Sequence, residues 1–243
     1  MPNHEVVKSE FDAITFDVYG TLIDWEPALL RQMRNLMDRM DKSPTDSDLI
    51  AAFDQARAHY QTVAPSRPYP RILEQLLIYV AAEWGGFPTE AEQREFGQSV
   101  PFWPTYRDSL SALQRLKSHF VLGALTNMDN TSFAASRKHL NDPFDVIVTA
   151  ERARSYKPGL RHFVLAIADL AARNIPPHRI LHVAQSRRAD IRPCNLLGIK
   201  TVHIDRKGRT LGHTGLGAEL AKHDAQFETM KDFVDSFLGS LEG

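Results

Sequence analysis

Five short apolar runs, separated by segments with helical periodicity, constrain the fold of this chain more than any other feature of its sequence. They span residues 13–16, 120–125, 145–149, 180–184 and 200–204. Each run is rich in β-branched residues and ends in polar residues or glycine, as is typical of strands buried in a parallel sheet. Their alternation with helices predicts an α/β fold with a doubly wound parallel sheet. Ligands bind at the carboxyl ends of the strands in such sheets.

Apolar residues between the later runs have the spacing of helices. Leu110, Leu113 and Leu116 predict one helix. A second helix is predicted by a stripe at positions i, i+3, i+4 and i+7, which consists of Leu160, Phe163, Val164, Ile167 and Leu170. Helices at these places would cover the faces of the sheet.

The interval from residue 24 to residue 101 has helical spacing but no strand run. Its proline-rich segment, residues 64–70, must interrupt any helix. We predict a helical cap domain at residues 24–101, inserted after the first strand and placed over the strand ends. Residues 1–23 and 102–243 would then form the α/β core.

Composition narrows the class of protein. Hydrophobic residues make up 43% of the 243 residues and the net charge is −1, so we expect a buried core and no nucleic-acid partner. A single cysteine, Cys194, cannot form an intramolecular disulfide, which agrees with a reducing cytosol. No stretch approaches the roughly 20 apolar residues of a membrane span, and the N-terminus lacks the apolar core of a signal peptide. We expect a cytoplasmic protein with no membrane partner.

Reactive side chains follow the first two predicted strands. Asp17 comes directly after the first strand and shortly before Gly20. Backbone N–H groups could surround its carboxylate there, so Asp17 is a candidate nucleophile, although a turn or helix-cap role is the alternative. Thr126 and Asn127 follow the second strand and could hold an oxyanion or a carboxylate, or cap the next helix.

Charged residues follow two later strands. Lys157 precedes Pro158, a place where a lysine is ordinarily a solvated surface charge. In a catalytic cleft it would instead neutralise the nucleophilic carboxylate. Asp190 lies in the loop after residues 180–184 and could orient Lys157, activate water or cap a helix. Each signal alone is weak, but their order along the chain, each at a strand end, is specific.

The order Asp-x-x-Gly-Thr-Leu, Thr-Asn, Lys-Pro and Asp resembles the four motifs of the haloacid dehalogenase-like superfamily. The resemblance covers nearly the whole chain, including residues 16–25 and 180–186. It is closest to the 2-haloacid dehalogenase branch, whose helical cap is inserted at the place of residues 24–101. The resemblance implies a hydrolase with a Rossmann-like core. It also implies catalytic roles for Asp17, Thr21, Lys157 and Asp190.

Two positions distinguish this chain from the phosphatases of that superfamily. Phosphatases have a second aspartate, which protonates the leaving alcohol, where this chain has Tyr19, and a phenol is a poor substitute. They also bind Mg²⁺ through carboxylates, and this chain has Gln185 at one such place. The resemblance therefore implies a dehalogenase with no metal and no other cofactor. Asp17 would displace halide from C2 of a short 2-haloacid, and water would then hydrolyse the ester formed on Asp17.

The resemblance is incomplete around the substrate. It assigns substrate binding to Tyr19, Thr126, Asn127, Phe163, Gln185 and Ser186. The halide-associated arginine of dehalogenases falls at Asp54, with Arg57, Arg67 or Arg71 as candidate replacements. A tyrosine of those enzymes falls at Phe163, and a serine and an asparagine fall at Gln185 and Arg187. These departures leave the substrate less defined than the mechanism.

Alternative functions stay open. Azetidine-2-carboxylate hydrolase has similar motifs, including phenylalanine at the position of Phe163, and opens a strained ring with an amine as the leaving group. A magnesium-dependent phosphatase is less favoured. A catalytically silent binding module is disfavoured because Asp17, Thr126, Lys157 and Asp190 are all retained. The expected partner is a small-molecule carboxylate, and a homodimer is an open alternative to a monomer.

Several other polar residues have no role assigned by the motifs. His182 and His203 lie within strand runs and are interpreted as packed side chains. Arg187, Arg188 and Arg192 surround Asp190. They could bind an anionic substrate group or form a solvated face, and the sequence does not decide between the two.

Overall fold

The structure is a computed structural model of the chain, and it describes residues 6–63, 67–209 and 217–239. Its described part contains one six-stranded parallel sheet. In chain order the strands are β1 (Ala13–Phe16), β2 (Val121–Thr126), β3 (Val146–Thr149), β4 (Ile180–Ala184), β5 (Lys200–Ile204) and β6 (Ala225–Phe227). They are arranged β3-β2-β1-β4-β5-β6. The predicted doubly wound α/β fold is confirmed.

Strand β1 lies between the two halves of the sheet, because the chain winds outward from it in both directions. All four of its residues are buried. Phe16, its last residue, pairs with Ala124 of β2 and with Val183 of β4. The residues that follow β1, β2 and β4 therefore meet at one edge of the sheet, at its topological switch point. Strand β6 was not predicted.

The helices of the core domain cover the sheet. They are α5 (Ser109–Lys117), α6 (Asn130–His139), α7 (Ala150–Ala153), α8 (Arg161–Ala171), α9 (Arg192–Leu196) and α10 (Met230–Leu238). Both predicted helices are present as α5 and α8. Their buried faces differ from the predicted stripes, since Leu110 and Val164 are exposed whereas His162 on α8 is buried.

Between β1 and α5 the described chain forms helices and no strand. These helices are α1 (Glu26–Arg39), α2 (Asp46–Val63), α3 (Tyr69–Glu83) and α4 (Glu90–Gly97). The described part of the proline-rich segment, residues 67–70, leads into α3 and includes its first two residues, whereas residues 64–66 lie outside the described part. Aromatic side chains join this layer to the core, with the rings of Trp25 and Trp103 5.6 Å apart.

The chain enters and leaves the helical segment side by side. The N–H of Asp24 donates to the carbonyl of Pro104 over 2.7 Å, and the N–H of Tyr106 donates to the carbonyl of Leu22 over 3.0 Å. The two connections are thus paired like short strands. The cap boundaries at residues 24 and 101 stay predictions.

No helix within the described ranges has both the length and the apolar character needed to cross a membrane.

Candidate active site

Asp17 is fixed at the carboxyl end of β1 by its own backbone and by its neighbours. Its N–H donates to the carbonyl of Val183 on β4 over 3.1 Å. One carboxylate oxygen, Oδ2, accepts a hydrogen bond from the hydroxyl of Thr21 over 2.8 Å. Gly20 allows this return of the chain because its φ of 99° is a conformation that other residues rarely adopt. The carboxylate is therefore held rigidly, with 7% of the residue exposed.

Lys157 links Asp17 to Asp190. Its Nζ donates to Asp17 Oδ1 over 2.9 Å, to Asp190 Oδ1 over 2.6 Å and to the carbonyl of Leu125 over 2.8 Å. An ammonium has three N–H donors, so all three are used. The side chain is fully buried. Residues that follow β1, β3 and β4 thus form one hydrogen-bonded cluster, in agreement with the positions chosen from the sequence.

His182 is part of this cluster, although the sequence suggested only a packed side chain. Its Nε2 lies 3.2 Å from Asp190 Oδ1, where a carboxylate oxygen can only accept, and its Nδ1 shares a hydrogen bond of 2.9 Å with the hydroxyl of Thr15. Asp190 Oδ2 is buried and has no hydrogen-bond partner within the described chain. Asp190 is therefore oriented by two donors on one oxygen, which leaves the other oxygen as a free acceptor.

Burial and mutual attraction shift the pKa values of Asp17, Lys157 and Asp190 in different directions. Burial raises the pKa of Asp17, and the charge of Lys157 offsets only part of this rise. Burial alone would lower the pKa of Lys157, but attraction to Asp17 and Asp190 leaves it raised. Burial would raise the pKa of Asp190, yet the charge of Lys157 and the hydrogen bond from His182 leave it lowered. The charge on Asp17 is the least favoured of the three.

Asn127 positions Lys157 through the backbone. The N–H of Lys157 donates to Asn127 Oδ1 over 2.7 Å, and Asn127 Nδ2 donates to the carbonyl of Lys157 over 3.3 Å. Thr126, the last residue of β2, is fully buried, and its hydroxyl accepts from the N–H of Met128 over 3.2 Å. Thr126 and Asn127 thus hold protein groups in place.

Tyr19, Trp25 and Arg57 form a wall of the site beside Asp17. The Tyr19 hydroxyl donates to the hydroxyl of Ser136 over 2.7 Å, and burial raises the pKa of Tyr19 far above its usual value. The Arg57 guanidinium lies 5.1 Å from the ring centre of Trp25 and donates to Asp54. The wall combines an aromatic surface with a paired cation.

A small cavity connects these groups. Its free volume is about 40 Å³, which is room for about three waters at roughly 10–15 Å³ each. Its lining residues are Asp17, Tyr19, Trp25, Arg57, Gln61, Tyr69, Asn127, Met128, Lys157, Gln185, Ser186, Arg188, Ala189 and Asp190. A carboxylate, a cation and a free acceptor therefore share one cavity with an aromatic wall.

A family model described as haloacid dehalogenase-like hydrolase matches residues 11–193. This chain belongs to that family. The match contains Asp17, Thr21, Lys157 and Asp190, so the whole hydrogen-bonded cluster lies within it.

Proteins of known structure or activity are similar to this chain at low sequence identity. The crystal structure of the L-2-haloacid dehalogenase PA0810 is 22% identical with a TM-score of 0.74, and the match covers 95% of this chain and 100% of that chain. The L-2-haloacid dehalogenase from Xanthobacter autotrophicus with chloropropionic acid covalently bound is 17% identical with a TM-score of 0.72, covering 92% and 97%. A phosphorylated carbohydrates phosphatase from Thermotoga maritima is 22% identical over 92% of this chain and 100% of that protein. At these identities the structural similarity shows the fold.

The substrate-binding residues expected of this hydrolase take different places. Tyr19, Asn127, Gln185 and Ser186 line the cavity, whereas Thr126 and Phe163 are not among its described lining residues. Phe163 packs in the hydrophobic cluster beneath α8, with its ring edge-on to that of His182 at 5.4 Å. Phe163 thus contacts His182 in the described structure, and its expected contact with substrate stays a prediction.

Gln185 and Ser186 contribute their backbone and local structure. The N–H of Gln185 donates to the hydroxyl of Thr21 over 2.9 Å, so the loop after β4 holds the residue that bonds Asp17. The hydroxyl of Ser186 accepts from the N–H of Ala189 over 3.1 Å and starts the short helix of residues 187–191. These contacts fix the distance between the loop after β1 and the loop after β4.

The residues of this hydrolase do not fit the magnesium site of superfamily phosphatases. Asp17 and Asp190 each bond Lys157 Nζ, so an ammonium stands between the two carboxylates. Neutral side chains, Tyr19 and Gln185, take the places where phosphatases have further acids. Across the described ranges, no group of three or more His, Cys, Asp or Glu residues could hold a metal ion.

Proposed function

We propose that this hydrolase is a 2-haloacid dehalogenase, which releases halide and a 2-hydroxy acid from a short 2-haloacid through an ester on Asp17. The observation that carries the proposal is the buried, hydrogen-bonded state of the Tyr19 hydroxyl. This hydroxyl donates to Ser136, and its pKa is raised far above the usual value by burial. The residue at the place of the phosphatase acid therefore does not supply a proton at neutral pH. Halide leaves without one, unlike an alcohol or an amine.

The buried carboxylate of Asp17 suits the first step. An oxygen of Asp17 attacks C2 of the haloacid, the new C2–O bond forms as the carbon–halogen bond breaks, and halide leaves with the electron pair. The carboxylate becomes a neutral ester in this step. Because burial disfavours the charge on Asp17, esterification removes an unfavourable buried charge. Thr21 and Lys157 hold the carboxylate for attack.

Asp190 suits the second step. Its free Oδ2 can accept a proton from water, and the water oxygen attacks the carbonyl carbon of the Asp17 ester. The bond between that carbon and the oxygen on C2, which came from Asp17, breaks, and this oxygen takes the proton from Asp190 and leaves as the hydroxyl of the 2-hydroxy acid. Asp17 keeps the water oxygen and regains its carboxylate when the second proton of the water passes to solvent. Lys157 stabilises the negative charge that develops on the ester oxygen. The covalent chloropropionic acid in the Xanthobacter autotrophicus enzyme supports an intermediate of this kind.

A substrate panel tests the proposal. The panel contains both enantiomers of 2-chloropropionate, chloroacetate, fluoroacetate, azetidine-2-carboxylate and p-nitrophenyl phosphate, each with and without EDTA and with the Asp17→Asn variant. We expect halide release that persists in EDTA and disappears in the variant. Ring opening alone would favour the azetidine-2-carboxylate alternative, and EDTA-sensitive phosphate release would favour a phosphatase. Either result would overturn the dehalogenase proposal.

Isotope labelling tests the ester separately. After a single turnover in ¹⁸O water we expect the label in the peptide that contains Asp17, because water attacks the Asp17 carbonyl. An unlabelled peptide with labelled product would mean that water attacks C2 directly, which would refute the role of Asp17 as nucleophile.

A further inference from the structure

The substrate of the proposed reaction is an anion, yet the central cluster has a net negative charge. Asp17 and Asp190 contribute two negative charges and Lys157 contributes one positive charge. All three donors of Lys157 are bonded to protein atoms. A carboxylate that entered the cavity would meet this excess of negative charge. A further cation is therefore required to hold it.

Most of the hydrogen-bonding capacity of the Asn127 side chain is used by the protein itself. Both ends of its amide bond the backbone of Lys157. One N–H of Nδ2 is left, and a neutral donor contributes less to the binding of an anion than a charged one. The residues expected from the sequence to cradle the carboxylate therefore do not supply the missing charge.

Arg188 lines the same cavity, from the short helix that follows β4. The guanidinium is half-buried, and it makes no hydrogen bond or ion pair with any described residue. The neighbouring Arg187 differs, because it donates to the carbonyl of Ala221. Arg57, the other arginine of the cavity, is paired with Asp54. Arg188 is thus the cavity arginine whose donors are free in the described structure.

The charge of Arg188 is unfavourable in the free protein. Burial lowers the pKa of Arg188, the like charge of Arg57 lowers it further, and attraction to Asp54 and Asp190 does not compensate. A half-buried cation beside a second cation costs stability unless an anion joins them. Such an arrangement is expected where a protein retains a charge in order to bind a ligand.

We propose that Arg188 binds the carboxylate of the substrate through a guanidinium–carboxylate pair. This inference rests on the proposed function for the identity of the ligand, a small 2-substituted monocarboxylate. With Arg188 included, the charges of Asp17, Asp190, Lys157 and Arg188 sum to zero. The guanidinium offers two parallel N–H donors that match the two carboxylate oxygens. A neutral amide or ester of the same acid lacks this match.

Binding of propionate tests the inference, because propionate has the carboxylate of the substrate but no leaving group. Calorimetry would compare propionate with propionamide on the unmodified protein and on Arg188→Gln, Arg188→Lys and Arg187→Gln. We expect Arg188→Gln to raise the Kd for propionate by about 10- to 100-fold, the usual contribution of a hydrogen bond to a charged group. The Kd for propionamide should change by less than about 3-fold. Arg188→Lys should lose less affinity, and Arg187→Gln should bind propionate normally.

Stability separates ligand binding from a structural role. Removal of an unfavourable charge should leave the thermal unfolding midpoint of Arg188→Gln equal to or above that of the unmodified protein. Saturating propionate should raise the midpoint of the unmodified protein but not that of the variant. A variant that unfolds early or does not fold would indicate a structural arginine and overturn the inference. Unchanged propionate affinity in Arg188→Gln, or no propionate binding by the unmodified protein, would also overturn it.

The two proposals can fail separately. Propionate binding that depends on Arg188, without halide release from any 2-haloacid, would refute only the dehalogenase proposal. Halide release with the same KM in Arg188→Gln as in the unmodified protein would refute only the role of Arg188. Loss of Arg188 should raise KM for 2-chloropropionate more than it lowers kcat, because the carboxylate is bound in both the ground state and the transition state.

Discussion

The side chain of Asn127 bonds both polar groups of the Lys157 backbone. Its Oδ1 accepts from the Lys157 N–H over 2.7 Å, and its Nδ2 donates to the Lys157 carbonyl over 3.3 Å. The ammonium at the far end of that lysine is the centre of the catalytic cluster. Because the side chain of Lys157 is fully buried, its reach to Asp17 depends on where the backbone lies. Asn127 is therefore a positioning residue.

Replacement of Asn127 by alanine should lower kcat by about 10- to 100-fold, because displacement of a catalytic group by about 1 Å has effects of that size. KM should change little. The variant should also lose about 1–3 kcal/mol of unfolding free energy for two partly buried hydrogen bonds. Steady-state kinetics and urea denaturation would measure both effects.

Asn195 provides a matched control for Asn127. It makes the same pair of bonds with the backbone of Lys222, over 2.8 Å and 2.7 Å, at the surface. Asn195→Ala removes an equivalent pair of hydrogen bonds outside the active site. The kcat of this variant should therefore equal that of the unmodified protein. Equal activity of the two variants would contradict a positioning role for Asn127.

Tyr19→Phe should keep most of the activity. The hydroxyl of Tyr19 bonds Ser136, and its raised pKa makes it a weaker proton donor than a free phenol, so its removal should lower kcat by less than about 10-fold. Stability should fall by about 0.5–1.5 kcal/mol for the lost hydrogen bond. Ser136→Ala removes the same bond from the other side and serves for comparison. A drop in kcat of more than about 100-fold in Tyr19→Phe alone would show that the phenol takes part in the reaction.

His162 should make the protein sensitive to acid. Burial, followed by the charge of Lys157, lowers the pKa of His162 from 6.5 to about 3 in the folded chain. The unfolded chain therefore takes up a proton that the folded chain does not, as the pH falls from about 6.5 towards 3. Stability is lost in that window, at up to about 1.4 kcal/mol per pH unit.

Replacement of His162 by glutamine should reduce the slope of unfolding free energy against pH between pH 6 and pH 4. Glutamine can still donate to the carbonyl of Thr126, which His162 contacts over 3.1 Å. Urea midpoints at several pH values would give the slope, with the exposed His119→Gln as the control. An unchanged slope in His162→Gln would rule out this contribution.

Gly20→Ala should lower both stability and activity. The φ of Gly20 is 99°, and a Cβ there would lie 3.0 Å from Gln185 Oε1. The backbone strain should cost about 1–3 kcal/mol. Gly198→Ala is the control, since its φ is 68° and its Cβ would meet nothing within 4 Å. Thermal midpoints should fall in both variants, but only Gly20→Ala should lose halide release, because Gly20 sets the path from Asp17 to Thr21.

Periodicity in the sequence was sufficient to predict the central strands, since β1, β4 and β5 match the apolar runs residue for residue. Strand β6 has three residues, of which one is buried, so it carries too little pattern to be recognised. The order of reactive residues at the strand ends predicted that Asp17, Lys157 and Asp190 would meet. Topology alone accounts for this, because the carboxyl ends of parallel strands share one edge of the sheet.

Side-chain direction could not be predicted in the same way. Side chains along β4 point alternately to the two faces of the sheet, and only the packed sheet shows to which face His182 points. The direction of the Arg188 side chain depends likewise on the rotation of its short helix. The signal that could have found His182 is its place two residues before the end of β4, on a strand that leads directly to Asp190.

The cluster around Lys157 joins residues that are distant in the chain, since Asp17 and Lys157 are 140 positions apart and Lys157 and Asp190 are 33 positions apart. Contacts of such long range form late when a chain refolds, since their loops must close first. A refolding chain can regain its helices while Asp17 is still without its partner. Recovery of turnover should therefore lag behind recovery of the circular dichroism signal. The rate at which turnover returns would then report the last stage of folding.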